Sequence, residues 1–180
     1  MNIFLQLENT YTKESCFQII SYIGNDETRV QELLDCFFAQ TKDYRVPQRA
    51  AHVVSILYDR NPDLIKPYIP QFIEKLKEPT LKGSLKRNIL RILQHGNVPE
   101  DSKGFVYDLV FAWMMDPKEE IAVRAFACTV LYQISQDYFD LKYELKSALD
   151  LILEENPLAP GVLSRARKTR ELIEKELDES

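Results

Sequence analysis

The feature that most constrains this chain is an apolar stripe that recurs at a nearly constant interval. Counting from Val123, the offsets +4, +8 and +11 reach Ala127, Leu131 and Ile134, which is the spacing of one face of an α-helix. The same offsets define stripes that begin at Val46, Leu85 and Val162. Consecutive starting points are 39, 38 and 39 residues apart. A repeat of this length predicts a chain built from similar helical units.

Turn sequences rich in Gly, Pro, Asn and Asp separate the stripes from other amphipathic segments. Nine helices are predicted, at about 12–24, 27–41, 46–60, 67–77, 82–95, 103–115, 118–137, 141–155 and 161–178. Pro67 and Pro70 cannot both lie inside a helix, because each removes a backbone donor and crowds the preceding turn. The fourth helix is therefore expected to begin near Pro67.

Composition agrees with an all-α protein. The chain has 180 residues and only 5 Gly, too few for the many tight turns of a β-meander or sandwich. The three cysteines, Cys16, Cys36 and Cys128, fall inside apolar helical patterns and are expected to be buried thiols in a reducing compartment. The first 15 residues lack the basic and apolar regions of a signal peptide, and no apolar run is long enough to span a membrane. A cytoplasmic protein is expected.

Each stripe-bearing helix follows another amphipathic helix, so the predicted unit is a helical hairpin. One hairpin cannot bury its apolar face alone, and stacking on neighbours supplies the core. The prediction is an α-solenoid of about four hairpins forming a single domain over 1–180. It has an N-terminal cap at 1–25 and repeats at about 26–62, 63–97, 98–138 and 139–180. A helical bundle without repeats is the alternative.

The sequence "LVFAWMMDPKEEIAVRAFACTVL" resembles a HEAT repeat. In that family an apolar first helix leads to an Asp-Pro turn, here Asp116 and Pro117, and then to Val-Arg, here Val123 and Arg124. The resemblance covers residues from about 27 to 178. It implies that the second helices of the hairpins line a concave surface. It also implies that the Arg pairs, within or between neighbouring repeats, with an acid in the slot seven residues before each starting point. That slot holds Asp116, Glu78 and Glu155 but Ala39 in the first copy, and the Arg slot holds Arg124 and Lys86 but Pro47 and Leu163 in the outer copies. Only the two central units are therefore expected to form the pair.

Motifs for catalysis or for metal and cofactor binding are absent from the sequence. The two histidines, His52 and His95, lie in different repeats, and no zinc, nucleotide-phosphate or serine-nucleophile motif occurs. The expectation is a protein that is not an enzyme, with no catalytic residue, no metal and no cofactor.

The second helices carry more positive charge than the rest of an acidic chain of net charge −5. The segment "TLKGSLKRNILRILQH" contains Lys82, Lys86, Arg87 and Arg91 and no acid. Offsets +2, +6 and +9 fall opposite the apolar stripe and predict a polar, mildly basic concave face. The partner-binding residues predicted for this face are Arg45, Gln48, His52, Arg87, Arg91, Gln94, Tyr132 and Lys168. Solvated helix faces without a partner are the alternative.

Three functions are compatible with this pattern. The first is a protein-interaction or scaffold module, a monomer or weak oligomer, that binds an acidic peptide or partner domain. The second is nucleic-acid binding, because the chain also resembles the DNA glycosylases for alkylated bases that are built from HEAT-like repeats. Trp113 and Asp116 are similar to their Trp/Asp pair, but the net negative charge disfavours phosphate contacts. The third is a subunit of a larger assembly, with Tyr107, Phe111, Tyr138 and Phe139 as candidate contacts.

Overall fold

The computed structural model describes residues 1–9, 11–41, 44–95, 98–155, 157 and 159–179. Within these residues the regular structure consists of ten α-helices and three short 3-10 helices, without a β-strand. The α-helices are α1 Ile3–Asn9, α2 Lys13–Ile23, α3 Glu27–Phe38, α4 Arg45–Arg60, α5 Ile69–Leu76, α6 Gly83–Leu93, α7 Lys103–Met115, α8 Ile121–Ser135, α9 Phe139–Leu153 and α10 Pro160–Asp178. The 3-10 helices are Pro62–Leu64, Lys66–Tyr68 and Glu100–Ser102. The prediction of an all-α fold is confirmed.

The chain divides into two compact units, Met1–Ile92 and Leu93–Ser180. The first contains α1 to α5 and nearly all of α6, and the second contains α7 to α10. The single domain over 1–180 and the boundaries of the four repeats remain predictions.

The apolar stripes form the core, as their spacing predicted. Every stripe residue that the structure describes is at most 2% exposed, with one exception. The exception is Arg170, which is half-buried and pairs with Asp150 and Glu174, each at 2.6 Å. Gly96, the last position of the stripe that begins at Leu85, lies outside the described residues. Burial of the stripes contributes to the hydrophobic stabilisation of each unit, together with the buried residues of the first helices, such as Phe37 and Phe72.

In the first unit, successive hairpins pack with like helix against like helix. Phe37 and Phe38 of α3 contact Phe72 of α5, with ring centroids 5.1 and 5.7 Å apart. On the other side, Ser55 Oγ of α4 donates to Asn88 Oδ1 of α6 at 3.1 Å. First helices therefore contact first helices and second helices contact second helices, which is the arrangement of stacked hairpins.

Two details of the first unit differ from the predicted helices. Helix α1 was not predicted, although Ile3 and Leu7 are four residues apart and both are buried, and Asn2 Oδ1 accepts from the Leu5 backbone N–H at 3.0 Å. Seven residues contain too few apolar positions for a period to be recognised. Helix α5 begins at Ile69 rather than at Pro67, and Pro70 lies in its first turn, where its missing N–H costs nothing.

The second unit consists of the hairpins α7–α8 and α9–α10, which are joined by polar contacts as well as by the stripes. Tyr107 Oη of α7 donates to Glu144 of α9 at 3.1 Å. Arg165 Nη1 of α10 donates to Thr129 Oγ1 of α8 at 2.8 Å. These contacts repeat the pattern of the first unit, because α7 lies beside α9 and α8 beside α10.

The burial of the cysteines and of the aromatic residues can be compared with their predicted positions. Cys16, Cys36 and Cys128 are buried, and none forms a disulfide. Of the aromatic residues considered as assembly contacts, Tyr107 is buried, whereas Tyr138 and Phe139 are 40% and 45% exposed.

Arg124 joins the two hairpins of the second unit at a buried position. Its side chain is 5% exposed, and its Nε donates to the carbonyl oxygen of Met114 at 2.9 Å, near the C-terminal end of α7. Nη1 and Nη2 donate to the two carboxylate oxygens of Glu155 at 2.9 and 2.6 Å. Glu155 is the acid of the following repeat, whereas Asp116 accepts from the Lys118 backbone N–H. The acid–base pairing therefore occurs between repeats, and it extends to the last repeat instead of being limited to the two central units, because Glu155 lies within reach of the Arg124 guanidinium.

Removing the acid from this pair should destabilise the second unit, because the guanidinium would stay buried without a counter-charge. We expect Glu155→Ala to lower the free energy of unfolding by about 2 kcal/mol, since Glu155 itself is partly exposed. Urea unfolding followed by circular dichroism measures this. Adding Arg124→Met should cost less in the Glu155→Ala background than in the wild type.

The control is Glu179→Ala, because Glu179 forms an exposed pair with Lys175 on α10 at 3.9 Å. No measurable destabilisation is expected from that change. Equal effects of Glu155→Ala and Glu179→Ala would contradict a structural role for the buried pair.

Candidate functional site

The first unit brings together five of the eight residues predicted to bind a partner. Arg45, Gln48 and His52 follow one another along α4, with Arg45 and Gln48 exposed and His52 half-buried. Arg87 and Arg91 are one turn apart on α6, and both are half-buried. We call these five residues the basic face. The basic face lies on α4 and α6, which are neighbouring second helices. The apolar stripes of both helices are directed into the core, so the polar residues opposite them share one side of the unit.

The imidazole of His52 is held in place by a hydrogen bond with a residue outside α4. Tyr11, immediately before the N-cap of α2, has its Oη hydrogen-bonded to His52 Nδ1. The two rings meet edge to face with centroids 5.9 Å apart. Burial lowers the pKa of His52, and the positive charges of Arg91 and Arg87 lower that pKa further. His52 is therefore a neutral, oriented imidazole at pH 7.

Tyr11 remains protonated in this position. Burial raises the pKa of Tyr11 to about 12, with a further contribution from Cys16, against which Arg87 and Arg49 act in the opposite direction. The hydroxyl is thus available for hydrogen bonding throughout the physiological range of pH. Burial also raises the pKa of the Cys16 thiol, so Cys16 is a poor nucleophile here.

Arg49 fixes the segment that carries Tyr11. Its Nη1 donates to the carbonyl oxygens of Leu7 and Glu8 at 2.5 and 3.0 Å, at the C-terminal end of α1. Its guanidinium also lies 5.3 Å from the centroid of the Tyr11 ring. A cation at this position stabilises the carbonyl groups that have no partner within the helix. The charge of Arg49 is consequently used inside the unit.

The two arginines of α6 differ in their partners. Arg91 Nη2 is paired with Asp59 Oδ2 of α4, and the two side chains are 32% and 36% exposed. Arg87 forms no ion pair with any residue that the structure describes. As positions on one face of α6, the two were predicted to be equivalent. In the structure Arg91 joins α6 to α4, whereas the charge of Arg87 is not compensated by an ion pair within the described ranges.

The prediction that Ser55 lies on the outward face of α4 is wrong. Ser55 lies at offset +9, opposite the stripe, but its exposure is 1%. Its single hydroxyl proton is shared between Asn88 Oδ1 of α6 and the His52 carbonyl oxygen, which lie 3.1 and 2.8 Å from Ser55 Oγ. The reason is that α6 packs beside α4 and covers part of the face that a helix on its own would expose to solvent.

The other three predicted residues belong to the second unit. Gln94 follows α6 and is half-buried, and Lys168 is exposed on α10. Tyr132 is half-buried on α8, and its hydroxyl donates to Glu176 Oε1. Glu176 also pairs with Lys142 at 2.8 Å. Tyr132 is therefore engaged in joining α8 to α10.

Four residues that line a cavity together with His52 were not predicted. Tyr11 lies just before the N-cap of α2, Cys16 and Phe17 lie in the first half of α2, and Asp59 lies two turns beyond His52 on α4. No sequence signal connects Tyr11 to His52, because the two are 41 positions apart. The sequence shows that His52 and Asp59 are seven residues apart on one helix. It does not show that Asp59 pairs with Arg91 of α6, which requires the tertiary structure.

Among the described residues, no cluster of three or more His, Cys, Asp or Glu side chains could hold a metal ion. The described helices include none that is long and apolar enough to cross a membrane. Trp113 is half-buried in α7, and Asp116 Oδ1 accepts from the Lys118 backbone N–H at 2.9 Å. The carboxylate of Asp116 thus stabilises the turn between α7 and α8.

Comparison with known proteins identifies the repeats. A family model described as HEAT repeat domain matches residues 4–173. This match extends over nearly the whole chain, and it confirms the resemblance and the fold class predicted from the repeat. No curated protein and no solved structure matches the chain.

The electrostatic coupling between α4 and α6 can be tested through His52. Its pKa should lie below the ordinary value of 6.5, and Arg87→Gln should raise it towards that value. Titration of the imidazole proton resonances by NMR measures this, with His52→Gln assigning the signal. Arg45→Gln is the matched control and should leave the pKa of His52 unchanged. A His52 pKa that does not respond to Arg87→Gln would contradict the placement of Arg87.

The same shift predicts how stability depends on pH. The unfolded chain binds the proton of His52 more readily than the folded chain, so the folded state is favoured most above pH 6.5. This contribution should be lost as pH falls through 6.5 towards the lowered pKa of the folded state. The difference in free energy of unfolding between pH 8 and pH 5.5 should therefore be smaller for His52→Gln than for the wild type. Identical pH dependence of the two would contradict the lowered pKa.

Proposed function

The chain belongs to the HEAT repeat domain family, and from this premise we propose that it is a protein-interaction module that binds an acidic peptide or partner domain. Stacked helical hairpins present an extended surface that suits a segment of another protein. The HEAT repeat family is generally non-enzymatic. The proposed contact surface of the first unit is the basic face. Gln94, Tyr132 and Lys168 are the proposed contacts of the second unit, taken by itself.

The observation that carries this proposal is the uncompensated charge of Arg87. Its guanidinium is half-buried on α6 and has no ion pair with a described residue. Its charge nevertheless reaches α4, where it lowers the pKa of His52. A cation that the protein itself leaves unpaired attracts a carboxylate of a partner, and the partly buried position weakens screening by water.

The residues next to Arg87 on the basic face contribute hydrogen-bonding groups to the recognition of a partner, and little net charge. Arg91 is already neutralised by Asp59, and His52 is neutral at pH 7, so the basic face carries fewer effective charges than its sequence suggests. Gln48 and His52 are hydrogen-bonding groups that can read the backbone or polar side chains of a bound segment. The proposed partner is therefore moderately acidic, and its affinity should fall as salt increases.

A binding measurement with a defined acidic peptide tests the proposal. We expect a fluorescein-labelled peptide of alternating Glu and Ser to bind the full chain and to bind Arg87→Glu about tenfold more weakly, since reversal of one contacting charge costs roughly 1.4 kcal/mol. Fluorescence anisotropy at 50 and 200 mM salt provides the measurement. Arg91→Glu is not suitable, because it would place two carboxylates together and disturb the contact between α4 and α6.

Arg167→Glu is the matched control. Arg167 is exposed on α10 and outside the proposed surface, and its replacement changes the net charge of the chain by the same amount. Affinity should change less than about twofold in this variant. Equal losses of peptide affinity in Arg87→Glu and Arg167→Glu would show that affinity depends on net charge alone and would contradict a contact at Arg87. Tighter binding of a labelled DNA duplex than of the peptide, with a steep loss as salt rises, would replace this proposal with the nucleic-acid alternative.

A further inference from the structure

A cavity of about 480 Å³ opens between the beginning of α2 and the outward side of α4 in the first unit. We call it the α2–α4 cavity. Its volume lies in the range of pockets that take small molecules or single side chains. The cavity shares His52 and Arg91 with the basic face, so a segment that lies on that face also passes the mouth of the cavity.

The walls of the cavity are apolar and aromatic. They are formed by the Tyr11 ring, the Phe17 ring and the half-buried side chain of Ile56. The Arg60 guanidinium lies over the Phe17 ring, 4.4 Å from its centroid. An apolar side chain that entered here would lose contact with water on several sides, which is the condition for a favourable hydrophobic contribution.

The rim of the cavity is positively charged. Lys13 is exposed at the first position of α2 and lines the mouth, and Arg91 lines it from α6. Asp59 is the acid of this rim, and it is already paired with Arg91. Lys13 forms no ion pair with a described residue, so it supplies the net positive charge of the rim. The combination of an apolar interior and a basic rim favours a ligand in which an apolar group is flanked by carboxylates.

We propose that the α2–α4 cavity receives a large apolar side chain, such as Phe or Leu, from an acidic peptide bound along the basic face. The acidic residues on either side of that side chain interact with the positive charges at the rim. This inference rests on the proposed function and adds to it the position in which the peptide is anchored. A charged surface without an anchor attracts many acidic segments, whereas an apolar anchor selects among them.

Two peptides that differ at one residue separate the anchor from the charge. One has a single Phe in the centre of an alternating Glu and Ser sequence, and the other has Ser in place of the Phe. We expect the wild-type chain to bind the Phe peptide about tenfold more tightly, because burial of an aromatic side chain outweighs the cost of immobilising it. Fluorescence anisotropy compares the two peptides under identical salt conditions.

Filling the cavity should remove this preference. Ile56→Trp occupies the space from the wall of α4, so the variant should bind both peptides with the affinity that the wild type has for the Ser peptide. Arg87→Glu, in contrast, should weaken both peptides and preserve the ratio between them. The matched control is Leu109→Trp, the same kind of change at a half-buried position of α7 in the second unit, which should leave the preference intact.

The outcomes distinguish the anchor from the underlying function. A Phe preference that persists in Ile56→Trp overturns the anchor while Arg87 dependence still supports the proposed function. Failure of the wild type to bind either peptide overturns both. If free 3-phenylpropionate binds as tightly as the Phe peptide, the occupant is a small molecule and the peptide anchor is wrong. Circular dichroism verifies folding, and Ile56→Phe provides the same test with a smaller side chain if Ile56→Trp does not fold.

Discussion

No helical hairpin in this chain can cover its own apolar stripe, and the rest of the structure depends on that limit. A stripe such as Val123, Ala127, Leu131 and Ile134 becomes buried only when a neighbouring hairpin packs against it. The neighbour must present the matching helix in the same orientation, so first helices lie on first helices and second helices on second helices. Burial of the described stripe positions, Arg170 excepted, follows from this single requirement.

Polar contacts then secure the second helices side by side within each unit. Asp59 pairs with Arg91 in the first unit, and Arg165 donates to Thr129 at 2.8 Å in the second. These contacts use side chains that a helix taken alone would present to solvent. Stacking therefore competes with partner binding for the same residues, and the charge that remains available is smaller than the number of basic residues. Arg87 stands apart because the stacking contacts leave it without an ion pair among the described residues.

The fold could be predicted to a large extent from the sequence, and the site only in part. Helix period and stripe burial are local properties, so the positions of nine helices and the identity of the core were accessible. Helix α1 was missed because seven residues with two buried positions contain no measurable period. Ser55 was predicted to be exposed because helical periodicity describes one helix alone. It is buried because α6 covers that side of α4. The environment of His52 was inaccessible, since it depends on Tyr11, which is 41 positions away.

The sequence by itself determined that this chain is all-α, that its helices form hairpins in a repeat of about 39 residues, and that basic residues concentrate on the second helices. Only the tertiary structure decided which of those residues are free to act. Arg49 and Arg91 are held by α1 carbonyl groups and by Asp59, whereas Arg87 has no ion pair with a residue in the described part of the chain. The physical reason is that helical periodicity depends on neighbours along the chain, but the neutralisation of a charge depends on neighbours in space.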